Sequence, residues 1–287
     1  MALMDGRDAY LPPPRREPPA VSRRSLLRLG FTPRARADID FDGVTERVRR
    51  GWETGASEAL LRGLEPVAAA AADLADVMAG ERVLDAGAGD GNVALACRLR
   101  GAEVAACDLS DAMVERGRLR CVAEWRQGDV QALPYPDASF DLVISTFGAA
   151  LAPRGRRTAR ELVRVLRPGG RLVLAAWTPK GLPGALDEHV ALPDGVHPPT
   201  AWADEEIAGS RLAPGLERLG RRVRTVALAF PSPDAMFDAF TLPYGLEEEA
   251  RAALRPAFDR LLAAQNNRPP AAEIDARYVL HLGHRPE

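Results

Sequence analysis

Residues 83–92 place a glycine-rich turn between an apolar run and a segment of helical character. Their sequence is Val-Leu-Asp-Ala-Gly-Ala-Gly-Asp-Gly-Asn. Glycines allow a tight turn and let a ligand approach the peptide groups, and the following helix presents free N–H groups to an anion. Asp85 precedes the turn, where a carboxylate can accept from an ammonium group or from loop amides. Asp108 ends the next apolar run, where a carboxylate can accept from both hydroxyls of a ribose.

This arrangement fits two cofactor classes, a nicotinamide dinucleotide and S-adenosylmethionine. A dinucleotide turn has the spacing Gly-x-Gly-x-x-Gly, but Gly87, Gly89 and Gly91 are spaced Gly-x-Gly-x-Gly, and Asn92 stands at the third glycine position. Asp85 would also repel a dianionic pyrophosphate. The spacing therefore favours S-adenosylmethionine, and a nicotinamide-dependent oxidoreductase is kept as a lesser alternative.

The elements that must position these residues follow from the apolar pattern. After Gly80, short apolar runs alternate with helical segments, which is typical of a parallel α/β sheet. Before Gly80, the pattern predicts helix from about Val44 to Met78. We predict strands at 82–85, 103–108, 124–127, 140–145 and 171–177, and later at 222–230 and 277–283. We predict helices between them at 92–99, 110–119, 154–166 and 246–264.

Composition bounds the function classes. The chain has 287 residues, 46% of them apolar, and a net charge of −2, so it is not disordered throughout and has no cation excess for nucleic acid. No apolar run approaches the roughly 18 residues that span a bilayer. The three cysteines, Cys97, Cys107 and Cys121, lie in apolar stretches without metal-ligand spacing. We therefore expect a cytoplasmic protein with no metal, nucleic-acid or membrane partner, and the oligomeric state stays open.

The domain organisation is predicted from shifts in composition and periodicity. Residues 1–40 are rich in Pro and Arg and are predicted to form a flexible arm. Residues 41–287 are predicted to form one domain, in which the long segment 178–220 interrupts the alternation of strands and helices. We divide it into a helical cap at 44–79, a cofactor-binding core at 80–177, a cap-like insertion at 178–220, and C-terminal strands and helix at 221–287.

The glycine-rich turn and three later segments together resemble the class I S-adenosylmethionine-dependent methyltransferases, of the small-molecule, methyltransferase domain 11-like type. The matching segments are residues 83–92, 103–110, 128–141 and 164–172, in the family's order and spacing. The resemblance spans Gly80 to Trp177. It implies a doubly wound, Rossmann-like α/β fold with a seven-stranded sheet, mostly parallel with an antiparallel last strand, and helices on both faces.

The resemblance also implies where the methionine and ribose parts of S-adenosylmethionine would bind. The methionine part would lie against the turn Gly87–Gly91, which includes Ala88 and Gly89, with its ammonium group near Asp85. Asp108 would hold the ribose hydroxyls. Ser145 and Thr146, at the end of the fourth strand, would contact the methionine end, where the acceptor enters.

The adenine ring would be held by two further segments. By the same resemblance, Leu109 or Met113 would cover its face. Asp129 would accept a hydrogen bond from the adenine amino group, while Val130 would offer its backbone N–H. These residues complete the predicted cofactor set.

The sequence assigns no catalytic residue. Methyl transfer from a sulfonium is an in-line displacement that positioning can accelerate, so a base is needed only if the acceptor must lose a proton. The family often carries a histidine shortly after the fourth strand, but residues 147–150 are Phe-Gly-Ala-Ala. The motifs of enzymes that methylate nucleic-acid amines or protein arginines are also missing there, which favours a small organic acceptor. The alternative is a protein that binds S-adenosylmethionine without transferring its methyl group.

Overall fold

The computed structural model describes residues 39–55 and 57–287, and its centre is a seven-stranded sheet. The strand order is β3-β2-β1-β4-β5-β7-β6. Strands β1 to β5 pair in parallel, and β7 runs antiparallel to both β5 and β6. The predicted doubly wound sheet with an antiparallel last strand is thereby confirmed. The strands are β1 (Arg82–Ala86), β2 (Glu103–Asp108), β3 (Glu124–Gln127), β4 (Phe140–Thr146), β5 (Leu166–Trp177), β6 (Glu217–Phe230) and β7 (Ala272–His284).

Several helices begin at a side-chain cap, and others begin without one. Ser110 accepts a hydrogen bond from the Met113 amide and so caps α5. Asp204 caps α8 in the same way through the Ile207 amide, at 2.9 Å. The α-helices are α1 (Phe41–Gly55), α2 (Glu58–Gly63), α3 (Glu65–Ala75), α4 (Asn92–Arg98), α5 (Asp111–Arg120), α6 (Gly155–Arg164), α7 (Leu182–Asp187), α8 (Glu205–Leu212), α9 (Pro233–Thr241) and α10 (Glu248–Gln265). Short 3-10 turns occupy Gly148–Leu151, Pro199–Trp202 and Leu242–Tyr244.

Two hydrophobic cores lie on opposite faces of the sheet. Successive strand residues point to opposite faces, and accordingly Val83 belongs to one core and Leu84 to the other. Leu142 and Val143 on β4 divide in the same way. Because these strands are buried on both faces, their sequences are continuous apolar runs, which is why they could be predicted.

The largest differences from the predicted elements occur at strand ends. Strand β5 starts at Leu166, five residues before its predicted start at Arg171, because Leu166 pairs with Phe140 ahead of a register shift. Helix α6 therefore ends at Arg164. Strand β6 starts at Glu217, where exposed polar residues continue the pairing with β7 and no apolar pattern marks the strand.

Residues Ile39–Glu287 form one compact unit. The predicted helical cap contains α1, α2 and α3, and the predicted insertion at 178–220 contains α7, α8 and a 3-10 turn. The predicted arm, residues 1–40, lies almost wholly outside the described residues, so it stays a prediction. Within the described residues, no helix has the length and apolar character needed to cross a bilayer.

Candidate functional site

A cleft of about 840 Å³, counting space open to solvent, lies at the carboxyl ends of β1, β2 and β4. The strand order reverses between β1 and β4, which is where open α/β sheets bind ligands. Most of the predicted cofactor residues line this cleft, although they come from four separate segments of the sequence. Those that line it are Gly87, Ala88, Gly89, Asp108, Leu109, Asp129, Val130 and Thr146.

The glycine-rich turn needs glycine at three places. Gly87, Gly89 and Gly91 have positive φ values of 71°, 55° and 92°, which other residues rarely adopt. A Cβ on Gly87 would also lie 2.8 Å from the Cα of Gly148. The turn after β1 therefore packs directly against the backbone that follows β4, and this contact forms one wall of the cleft.

Asp108 braces the turn from the end of β2. Its carboxylate accepts hydrogen bonds from the Gly89 amide at 2.8 Å and the Ser110 amide at 2.9 Å. Burial raises the pKa of Asp108, and these amide hydrogen bonds oppose the rise. Asp108 also lines the cleft. A ligand that contacts its carboxylate would therefore contact the group that holds the turn in place.

Asp85 is almost completely buried and does not line the cleft. Its Oδ2 accepts from the Ala94 amide at 2.9 Å, while its Oδ1 has no hydrogen-bond partner among the described residues. Burial, with smaller contributions from the charges of Asp108 and Asp90, raises the pKa of Asp85 to about 8. Asp85 is therefore mostly protonated at neutral pH and holds the start of α4.

Three other predicted residues also lie outside the cleft lining. Gly91 begins α4 with a φ of 92° and packs against Trp125. Met113 is buried in the core. Ser145 donates to the Ala86 carbonyl at 2.5 Å and accepts from the Ala149 amide at 3.0 Å, so it joins the ends of β1 and β4. These residues hold the elements next to the cleft and do not line it.

Asp129 lines the cleft, but a neighbouring glutamine occupies its carboxylate. The Gln131 backbone amide donates to Asp129 at 2.8 Å and the Gln131 side-chain amide at 2.9 Å. Gln131 also donates to the Thr45 hydroxyl at 3.1 Å and accepts from the Arg154 amide at 3.0 Å. It thereby ties the segment after β3 to α1 and to the start of α6. Sequence reasoning missed Gln131, whose role depends on these distant partners.

Asp90, in the middle of the turn, was also missed. It lines the cleft and is 4% exposed, and its Oδ1 has no partner among the described residues. Its Oδ2 forms an ion pair with Arg120 at 2.6 Å, and Arg120 donates further to Glu65 and Asn92. A buried carboxylate oxygen without a donor is costly, so this atom is suited to a cationic or hydrogen-bonding ligand.

A second, more apolar cavity of about 560 Å³, again counting space open to solvent, adjoins the cleft. The two share the wall residues Trp52, Leu64, Phe147 and Leu151. The Phe147 and Trp177 rings stack with their centroids 4.1 Å apart. The remaining lining is aliphatic, proline or aromatic and consists of Leu60, Ala150, Pro183, Pro199, Ala239, Phe240, Pro243 and Tyr244.

Comparisons with known proteins agree with this geometry. The sequence pattern of a methyltransferase domain matches residues 84–174. An uncharacterised protein of Mycobacterium tuberculosis is 30% identical over 247 residues, covering 82% of this chain and 81% of its own. A demethylmenaquinone methyltransferase of Clavibacter sepedonicus is 40% identical over 110 residues, 37% of this chain and 45% of its own.

Solved structures share the fold at low sequence identity. The YcgJ protein from Bacillus subtilis has a TM-score of 0.54 at 19% identity, with 79% of this chain and 99% of that chain covered. The [4+2]-cyclase SpnF has a TM-score of 0.54 at 21% identity, with 77% and 81% covered. The domain match, the relative that covers 82% of this chain and the sheet order together show that the chain belongs to the class I S-adenosylmethionine-dependent methyltransferase family.

Proposed function

We propose that this protein transfers a methyl group from S-adenosylmethionine to a small, largely apolar acceptor that binds in the second cavity. The observation that carries the proposal is that the two cavities are adjacent and share four lining residues. A methyl donor in the cleft and an apolar acceptor in the second cavity would lie next to each other at these residues.

The residues present fit S-adenosylmethionine. Gly89 leaves open space where a Cβ would meet only Leu61, at 3.8 Å, and Asp108 supplies a carboxylate for the ribose hydroxyls. The unpartnered Oδ1 of Asp90 suits the ammonium group of the methionine part, a role that the buried and mostly protonated Asp85 would fill less well. Asp129 and Val130 would hold the adenine edge. When bound, this cofactor supplies an electrophilic methyl group on a sulfonium.

The walls of the second cavity indicate the acceptor's chemistry. Stacked and edge-on aromatic rings from Phe147, Trp177 and Phe240 favour a flat apolar ring. One partial relative is named for a demethylmenaquinone acceptor, and we propose an acceptor of the same broad class, a small apolar ring compound. The chain's own contribution is to orient this ring against the shared wall and to exclude water.

We also propose a cytoplasmic location with no nucleic-acid, membrane or metal partner. The near-zero net charge supports this proposal, since a nucleic-acid partner would favour an excess of cations. The acceptor is therefore the partner that the described cavities can accommodate.

Calorimetry with S-adenosylmethionine and S-adenosylhomocysteine tests the donor site. We expect wild type to bind both, and Asp108→Ala to bind at least about tenfold more weakly, because charge-assisted hydrogen bonds contribute about 1.5–3 kcal/mol. Asp111→Ala, an exposed residue at the start of α5, is the matched control and should bind as wild type does. Equal affinity of wild type and Asp108→Ala would contradict the assigned cleft.

A turnover assay then distinguishes methyl transfer from cofactor binding alone. Wild type would be incubated with methyl-labelled S-adenosylmethionine and apolar ring compounds bearing hydroxyl, amine, thiol or activated carbon positions. Label in any of these products supports a transferase. Tight cofactor binding without label transfer across the panel would favour a non-transferring role. The [4+2]-cyclase SpnF, which shares the fold, is named for a reaction other than methyl transfer.

A further inference from the structure

The apolar second cavity contains one hydroxyl group among its lining side chains, that of Tyr244. Tyr244 ends the 3-10 turn Leu242–Tyr244, and its ring is half-buried against the cavity. Its hydroxyl donates a hydrogen bond to the Asp187 carboxylate at the end of α7. The cavity therefore has a single polar position of this kind, and that position is linked to a carboxylate.

Asp187 lies in an unusual environment for an acid. It is 4% exposed, and its hydrogen-bond partners are the Tyr244 hydroxyl and the Thr200 amide, the latter at 3.1 Å. Among the described residues it forms no ion pair. Burial raises the pKa of Asp187 and these hydrogen bonds oppose the rise, while burial and the adjacent Asp187 raise the pKa of Tyr244.

If the hydrogen bond between Tyr244 and Asp187 served only to hold two structural elements together, it would not need an ionisable acid. Burying a carboxylate without a cation costs free energy, and apolar residues of similar volume often pack there with no loss of stability. A proton-accepting role is a physical reason to keep a carboxylate at this place, because a buried acid with a raised pKa is a better base near neutral pH than an exposed one.

We propose that Tyr244 binds a hydroxyl group of the acceptor and that Asp187 receives the proton released on methylation. This rests on the proposed methyl transfer and narrows the acceptor to a flat apolar compound with a phenolic or enolic hydroxyl. Tyr244 is then a binding and proton-relaying residue, and Asp187 acts through it.

The step balances in atoms and charge. Methylation of the acceptor oxygen forms a C–O bond and breaks the donor's C–S bond, whose electron pair stays on sulfur. The acceptor O–H proton passes to the Tyr244 oxygen while the Tyr244 proton passes to Asp187. The positive charge of the sulfonium and the negative charge of the carboxylate both disappear, so no further reactant is required.

The test compares Tyr244→Phe and Asp187→Asn with wild type on two sets of acceptors. One set consists of naphthols and alkyl phenols, which are neutral at the assay pH, and the other of nitrophenols that are already largely ionised. Tyr135→Phe is the matched control, since Tyr135 is also buried but its hydroxyl points to the Ala106 carbonyl in the core, at 3.4 Å. Thermal unfolding confirms that each variant is folded, and if Asp187→Asn is not, Tyr244→Phe decides.

Three results are expected. S-adenosylhomocysteine should bind both variants and wild type within about twofold. Binding of 2-naphthol to the S-adenosylhomocysteine complex should weaken about tenfold in Tyr244→Phe, as expected for the loss of one hydrogen bond. With neutral acceptors kcat should fall about 100-fold or more in both variants, as expected for lost general-base catalysis, and nitrophenols should restore most of it in Asp187→Asn.

Other outcomes overturn this inference without touching the proposed function. Equal losses for neutral and ionised acceptors would show that the pair is only structural. Unchanged rates in Tyr244→Phe would exclude the proton relay through Tyr244. Transfer by wild type to amines, thiols or carbon but to no hydroxyl would exclude the hydroxyl class of acceptor. Failure of wild type to bind S-adenosylhomocysteine, or to transfer to any acceptor, would instead contradict the proposed function itself.

Discussion

Gly148→Ala should disrupt the cofactor cleft by moving the glycine-rich turn. A Cβ on Gly148 would lie 2.6 Å from the Gly87 carbonyl oxygen and 2.7 Å from the Gly87 Cα. Both are backbone atoms, so relief requires the turn after β1 to move away from the segment after β4. Overpacking of this kind costs about 1–3 kcal/mol in folding free energy. For a protein of this size that corresponds to a lower Tm by roughly 2–12 °C.

The same displacement should weaken the binding of S-adenosylhomocysteine. If about 1.4 kcal/mol of the strain is relieved in the free protein and restored when the turn closes on the ligand, Kd rises about tenfold. Differential scanning fluorimetry and calorimetry measure the two effects separately.

Gly209→Ala is the matched control, because a Cβ there would meet nothing within 4 Å and Gly209 lies inside α8. This variant should keep the wild-type Kd and gain up to about 1 kcal/mol in stability. A Gly148→Ala protein with the Kd and Tm of wild type would refute the argument that the two backbone segments form one rigid wall.

Three further variants test other parts of the site. The Asp85 pKa is raised from 3.8 to about 8, so the folded state keeps a proton that the unfolded state loses, and wild-type stability should fall as pH rises from about 4 to about 8. Asp85→Asn should lack this contribution. If the assignment is wrong, the unfolding free energies of wild type and variant, measured in urea, would run parallel across that pH range. Arg120→Ala should lose about 1–3 kcal/mol of unfolding free energy because it leaves the buried Asp90 unpaired, whereas Arg118→Ala, which removes an exposed pair, should lose less than about 1 kcal/mol. Phe240 lines the second cavity but not the cleft, so Phe240→Leu should raise the acceptor KM and leave the Kd for S-adenosylhomocysteine unchanged. A change in that Kd would contradict the division of roles between the cavities.

The cofactor side of the site was largely predictable because its signals are local in the sequence. Glycines with positive φ and an acid at the end of a buried strand are dictated by backbone geometry and by the strand's apolar run. The supporting role of Asp85 was not predictable, since its burial and raised pKa depend on α4 and on two other carboxyls. Gln131 gave no signal of its own, because its partners Thr45 and Arg154 are distant in sequence.

The sequence by itself determined the family, the sheet with its antiparallel last strand, and the segments that surround the cleft. The segments around the cleft follow from periodicity and turn chemistry, which act between neighbouring residues. The family and the antiparallel last strand follow from the resemblance of four ordered motifs. Tertiary structure alone decided the contact of Gly87 with Gly148, the second cavity, and the pairing of Tyr244 with Asp187 across 57 positions of sequence. The physical reason is that a cavity and a buried hydrogen bond exist only between packed elements, and no pattern along one element encodes its partner.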